Sequence, residues 1–251
     1  MELDQYNILL DTDTVDGQPE TAEGEVTVVD TLIVSDIHLG SYVSRSKDLL
    51  KTLKKHDMKR LILNGDVFDD LNFKRLNKSD WEFLSYLRKL ANPKRECEVV
   101  WVAGNHDGAA EILSHLLGVR VFDEYMWESH GRKFLAIHGH QFDKYITDHL
   151  VLTSIACAFY IVLQRLDGKN QRFSRWIKQR SKKWLRVSES LGHDAIQYAS
   201  KKGADVVFCG HTHRSVQIET DDLIYYNSGC WTDFPSHFLS IDRGQVEVRE
   251  A

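Results

Sequence analysis

The sequence predicts a layered α/β fold, and three observations carry that expectation. Strand-like and helix-like segments alternate through the first two-thirds of the 251 residues, as they do where helices cover a sheet. Each strand-like run is apolar and ends in a short loop of Asp, Asn, His and Gly. With 42% hydrophobic and 27% charged residues the chain has the composition of an ordinary soluble globular protein. It is long enough to bury a sizeable core as one large domain or two small ones.

In order along the chain, residues 25–34 (EVTVVDTLIV) are β-branched and run into SDIHLG. Residues 46–56 space their leucines for a helix, and residues 60–63 (RLIL) run into NGDVFDD. Ser79 and Glu82 form an expected capping box opening a helix over residues 80–90, with Trp81, Leu84 and Leu87 on one face. Residues 98–103 (EVVWVA) end at GNHDG, residues 132–137 (RKFLAI) at HGHQFD, and residues 205–209 (DVVFC) at GHTH. From 215 to 249, short alternating runs broken at Asp221-Asp222 and Arg243-Gly244 predict antiparallel hairpins. Ligands of layered α/β folds sit beyond the carboxyl ends of the strands, so the five polar loops are expected to converge on one sheet edge. Between 143 and 202 the alternation stops in a long helical stretch without Pro, read as a cap inserted over residues 144–202.

Charge is distributed unevenly. Residues 1–30 hold nine carboxylates and no Lys or Arg, so residues 1–25 are read as an acidic, solvated extension of a domain over residues 26–251. The start lacks the basic and apolar stretches of a signal peptide. Four scattered cysteines with no CxxC pair point to reduced thiols and a cytoplasmic location. The longest apolar stretch, residues 150–163, is shorter than the roughly 20 residues that span a bilayer.

The loops supply metal-ligand chemistry. Asp36 and His38 are two apart, so at an extended strand end both would face one side. Asp66 follows Gly65, where a missing side chain lets the backbone approach an ion. Asn105 offers a carbonyl oxygen, and His138, His211 and His213 offer imidazoles. Taken singly, each of these is also what a turn residue or a core hydrogen-bonder looks like. In order after apolar strands, two Asp, one Asn and four His are too many for one ion and suit two that share a bridging carboxylate. The ligand mixture suits Mn²⁺, Fe²⁺ or Zn²⁺, and is poor for Ca²⁺. Two such ions activate a bridging hydroxide and stabilise in-line displacement at phosphorus. At this level His106 in GNHDG could be a turn residue, a ligand or a proton donor.

SDIHLG, NGDVFD, GNHD, IHGH and GHTH, in this order across residues 28–230, resemble the five motifs of the calcineurin-like metallophosphoesterases. The resemblance implies a four-layer fold of two packed mixed sheets flanked by helices. It implies that Asp36, His38 and His213 hold a first metal, that Asn105, His138 and His211 hold a second, and that Asp66 bridges them. It also implies that His106 contacts the phosphoryl group or protonates the leaving group, oriented by Asp107.

Within that superfamily the chain most resembles the UDP-2,3-diacylglucosamine pyrophosphatases, through SDIHLG, NGDVFD, a helical segment before GHTH, and YNSGCW after it. Those enzymes carry GNRD where this chain has His106. The resemblance implies hydrolysis of a phosphodiester or pyrophosphate with Mn²⁺, or Fe²⁺ or Zn²⁺, on a lipid-linked or nucleotide-sugar substrate. Alternatives are a broad phosphodiesterase or phosphatase acting on nucleotides or phosphoproteins, and a non-catalytic protein-binding scaffold. Residues 164–186 hold nine Lys or Arg with interleaved aromatics. Arg175, Lys178, Lys182 and Lys183 are therefore candidate substrate-binding residues, on a helix that would receive a diphosphate or lie on an anionic membrane surface. The plainer alternative is a solvated helix packing its aromatics on the core. Single-stranded nucleic acid is the least supported partner.

Overall fold

The computed structural model describes residues 7–9, 26–108, 110–143 and 182–251, with 7–9 and 182–186 described by their backbone alone. Two six-stranded mixed sheets form the centre. In one, β2 (Thr27–Val34), β3 (His56–Asn64), β4 (Glu98–Val102) and β5 (Arg120–Phe122) are parallel neighbours. The antiparallel pair β11 (His237–Asp242) and β12 (Gln245–Glu250) completes its β2 side. In the other, β7 (Arg132–Ile137), β8 (Val206–Cys209) and β10 (Ile224–Ser228) are parallel. Antiparallel β6 (Glu124–Ser129) flanks one side, and β9 (Ser215–Glu219) with β1 (Asn7–Leu9) flanks the other. The expected four layers are present. The five polar loops, however, leave two sheets and not one edge: three follow β2, β3 and β4, and two follow β7 and β8.

The two-residue period of a strand explains why these runs are apolar throughout. Leu61 and Leu63 of β3 pack outward on α1 (Ser46–Lys54), α2 (Lys78–Leu90) and α3 (Ala110–Leu117), with Leu49, Phe83 and Leu113. Ile62 between them faces the second sheet, in a layer with Val100, Phe134, Phe208 and Leu239. On the far side Leu135 of β7 and Val207 of β8 meet Leu191, Ala195 and Ala199 of α4 (Lys182–Lys202). The last part of the stretch read as a cap is a packing helix of the core: α4 carries small residues on the face that meets the sheet, and residues 144–181 of that stretch lie outside the described residues. Arg175 and Lys178 lie outside the described residues, and Lys182 and Lys183 stand in the first turn of α4. Among the described residues, no helix is long and apolar enough to cross a membrane.

The cap of α2 lies two residues before the expected one. Asn77 accepts from the Ser79 and Asp80 amides at 2.7 and 3.2 Å, and Asp80 accepts from the Asn77 amide at 2.9 Å. Asn caps as well as Ser, and Asp in the third position closes the box as Glu does. The shift changes the buried face: Phe83 replaces Trp81, which is 53% exposed.

Candidate metal centre

The carboxyl ends of β3, β7 and β8 meet at Asn64, which is fully buried between the sheets. Its side-chain amide lies 3.3 Å from the Ile137 and Phe208 carbonyls, and its own carbonyl lies 2.8 Å from His138 Nδ1. The loops of both sheets are thereby brought to one place. Five of the predicted ligands there have left-handed backbone: Asp36 (φ 51°), His38 (48°), Asp66 (52°), His211 (66°) and His213 (54°). Non-glycine residues rarely adopt this conformation, and it concentrates where function fixes the backbone. It also replaces the extended geometry expected for Asp36 and His38. Gly65 leaves room for a neighbouring ring and not for an ion, since a Cβ there would collide with His138. At Gly104 a Cβ would collide with Asp66.

Among the described residues four groups of ligand atoms converge: two hold the predicted ligands, Asp36 with His38 and His213, and Asp66 with His138 and His211, and the others are His38 with Asp69 and His106, and His213 with Cys230 and Asp233. His38 Nε2 lies 3.2 Å from His213 Nε2, which lies 3.2 Å from Asp36 Oδ1. Asp66 Oδ2 is 3.3 Å from His138 Nε2 and 3.8 Å from His38 Nε2, so one carboxylate faces both sets. His138 Nε2 is sealed from solvent without a hydrogen bond. Two imidazole nitrogens facing each other beside a carboxylate, and a buried orphan nitrogen beside a second one, fit divalent cations better than protons. Such ions would be held by the two sets, with Asp66 between them.

In three of the four histidines the nitrogen turned away from the ligand set has a hydrogen-bond partner, and in His38 it has a carboxylate neighbour within ion-pair range. Asp69 Oδ1 lies 3.4 Å from His38 Nδ1, and Thr232 Oγ1 lies 3.2 Å from His213 Nδ1. The Asn64 carbonyl holds His138 Nδ1, and Asp143 Oδ2 is 3.1 Å from His211 Nε2. Partners of this kind fix tautomer and ring orientation at metal sites. Asp69, Asp143, Asn64 and Thr232 were not singled out from the sequence. The first two stand within the quoted motifs NGDVFD and HGHQFD, where a carboxylate was the only available signal.

The electrostatics agree with a site built around charge. Burial works against an ionised Asp36, but His213 and His138 outweigh it and bring its pKa to about 2. Asp66 is likewise held well below the carboxylate range, where His138, His38 and His106 overcome its burial. Burial disfavours a charged His138, yet Asp66 and Asp36 raise its pKa to about 9. His140, one turn away, is pushed down to about 4 by burial and by the neighbouring His138 and His211.

His106 and Asp107 take different places. His106 is exposed, and its ring stands edge-on to His38 with centroids 4.9 Å apart. Its Nδ1 lies 2.8 Å from the Asp69 carbonyl, and its amide donates to Asp66 Oδ1 at 2.9 Å. A carbonyl only accepts, so Nδ1 carries a proton, and Nε2 has no hydrogen bond among the described residues. Asp107 does not orient that ring, contrary to the expectation. It is buried, and its carboxylate accepts from the Val67, Phe68 and Gly104 amides and from Trp101 Nε1 at 3.0–3.2 Å. The acid that follows His106 in sequence turns inward to clip the loop, and Asp69 positions the ring. Asn105 is exposed beside His106, on a loop pinned to Asp66 by the His106 amide.

The chain is similar to several solved structures. An archaeal phosphodiesterase is 17% identical, with 88% of this chain and 98% of that one covered at a TM-score of 0.50. Vps29 of Entamoeba histolytica in complex with Zn²⁺ is 14% identical, with 88% and 97% covered at 0.45. A predicted phosphoesterase of Streptococcus pneumoniae is 15% identical, with 89% and 98% covered at 0.40. No curated protein matches the chain. Residues 30–215 match the family described as calcineurin-like phosphoesterase, a span that begins in β2 and closes just past GHTH. With the polar loops of both sheets inside that match, the chain belongs to the calcineurin-like phosphoesterase family.

Proposed function

We propose that the protein is a metal-dependent hydrolase of phosphodiester or pyrophosphate bonds, acting on a lipid-linked or nucleotide-sugar substrate such as UDP-2,3-diacylglucosamine. The observation that carries the reaction class is the pair of ligand sets with Asp66 of one facing His38 of the other, and with His106 Nε2, which has no hydrogen bond among the described residues, beside them. The substrate class rests on the resemblance carried by SDIHLG, NGDVFD, a long Pro-free stretch read as helical, GHTH and YNSGCW, in that order. Two divalent ions, Mn²⁺ by preference, supply Lewis acidity toward phosphoryl oxygens and lower the pKa of water. The chain's own part is positional and acid–base. Asp66 aligns the two ligand sets. The Asp69 carbonyl keeps the proton on His106 Nδ1, so Nε2 is the atom that donates to the leaving oxygen when the ring is doubly protonated.

The test is a Mn²⁺-supplemented panel of UDP-diacylglucosamine, UDP-sugars, cyclic nucleotides and bis-nitrophenyl phosphate, run with metal-stripped protein beside it. Turnover of the diacyl or UDP-sugar substrates that is abolished by stripping and restored by Mn²⁺ is expected. Hydrolysis confined to cyclic nucleotides or to the aryl diester would overturn the substrate class. No metal-dependent turnover of any of them would overturn the reaction class.

A further inference from the structure

We infer that Asp143 is the positioning residue for His211, fixing which nitrogen that ligand turns toward its ion. Asp143 lies on the loop after β7, while His211 lies on the loop after β8. Its Oδ2 is 3.1 Å from His211 Nε2, and the two side chains are 4% and 6% exposed. A carboxylate is an acceptor, so Nε2 carries the proton and Nδ1 is left for a cation. The other three histidines have the opposite arrangement, with Nε2 turned inward and Nδ1 outward, hydrogen-bonded in His138 and His213 and 3.4 Å from Asp69 Oδ1 in His38. Asp143 belongs to no convergent ligand set among the described residues, which separates a positioning role from direct coordination.

The loop is built to deliver it. Gly139, at φ 108°, reverses the chain directly after His138. The turn His140–Phe142 follows, closed by the Phe142 amide on the Gly139 carbonyl and the Asp143 amide on the His140 carbonyl. One short segment thus supplies His138 and also steers His211, two members of the same ligand set. A buried carboxylate on the far nitrogen makes an imidazole a more basic ligand, and losing such a partner costs about 10–100-fold in metal affinity. Because His211 belongs to the Asp66–His138–His211 set, the loss falls on one ion of the two.

This inference rests on the proposed two-ion centre, and the experiment separates them. Mn²⁺ binding is titrated calorimetrically on the full chain and on Asp143→Asn, Asp143→Ala and Asp143→Glu. Long-range ¹⁵N spectra of the metal-free wild type report the histidine tautomers. Expected are two ions in the wild type, one of them bound about 10–100-fold more weakly in Asp143→Ala, partial recovery in Asp143→Glu, and an Nε2–H tautomer at His211. A wild type that binds no ions would overturn the metal reading itself. Two ions in the wild type with both affinities unchanged in Asp143→Ala and Asp143→Asn, or with both weakened equally, would overturn only the role of Asp143. So would an Nδ1–H tautomer at His211, which needs no variant to be observed.

Discussion

At the scale of single residues, His106 and Asp107 are neighbours with unlike work. His106 is exposed, with Nδ1 held by the Asp69 carbonyl and Nε2 without a hydrogen bond among the described residues. His106→Ala is therefore expected to keep its metals and lose about 10²–10⁴ in kcat on alkyl leaving groups, with far less loss on nitrophenolate, which needs little protonation. Equal losses on both would indicate phosphate contact and not proton donation. Asp107 is buried, its carboxylate accepting from three amides and an indole. Burial, and then the charge of Asp66, push its pKa up, so its ionised form depends on those donors. Asp107→Ala leaves them unpaired and is expected to destabilise the fold by about 3 kcal/mol or more, read by denaturant unfolding. A stable Asp107→Ala variant with strongly reduced kcat would restore to Asp107 the catalytic role that its geometry denies.

At the scale of elements, the capping of α2 separates what a motif fixes from what it leaves open. Asn77→Ala should cost about 1 kcal/mol and Ser79→Ala under about 0.5 kcal/mol, because only Asn77 accepts the first-turn amides. Reversed magnitudes in paired melts would put the cap back at Ser79. The same division runs through the fold. The strands leading into the site were legible because burial on both faces makes their carboxyl-terminal parts apolar, as at residues 61–63 and 134–137. Strand β5 and helix α3 were missed: β5 is three residues long, and α3 leaves Ile112 and Leu116 more than 70% exposed, blurring the helical stripe. The ligand-bearing loops were legible because Asp, His and Asn in fixed order carry their chemistry in their identity. Asp69 and Asp143 were not, since a carboxylate that orients a histidine looks in sequence like any surface acid. Only the fold shows that the residue after His106 turns inward while a backbone carbonyl from another loop holds its ring.

At the scale of the whole molecule, the two sheets join at a seam of buried ionisable groups, and this sets how the metal-free protein answers pH. His138 titrates at about 9 when folded, above the ordinary 6.5, because Asp66 and Asp36 outweigh its burial. Between those values the native state binds the extra proton. This contribution is complete below pH 6.5 and is lost as pH rises through about 9. His213 is raised in the same direction, against its burial, by Cys230 and Asp36. His140 acts oppositely. Burial, with His138 and His211, lowers it to about 4, so stability falls as pH drops from 6.5 toward 4. Asp36, brought to about 2 by His213 and His138 against its burial, adds a contribution present above pH 3.8 and lost only as pH falls through about 2. Together they place the stability maximum of the metal-free protein near pH 6.5, with a decline on each side. Divalent ions held there would replace the protons on the inward nitrogens, so loading should remove the alkaline decline and leave the acid one. Thermal melts in chelator from pH 4 to 9.5, repeated with Mn²⁺, read both limbs. A metal-free Tm that holds level or rises between pH 6.5 and 9 would mean that the protons on His138 and His213 do not stabilise the seam, and that Asp36 and Asp66 are held apart by something other than imidazolium charge.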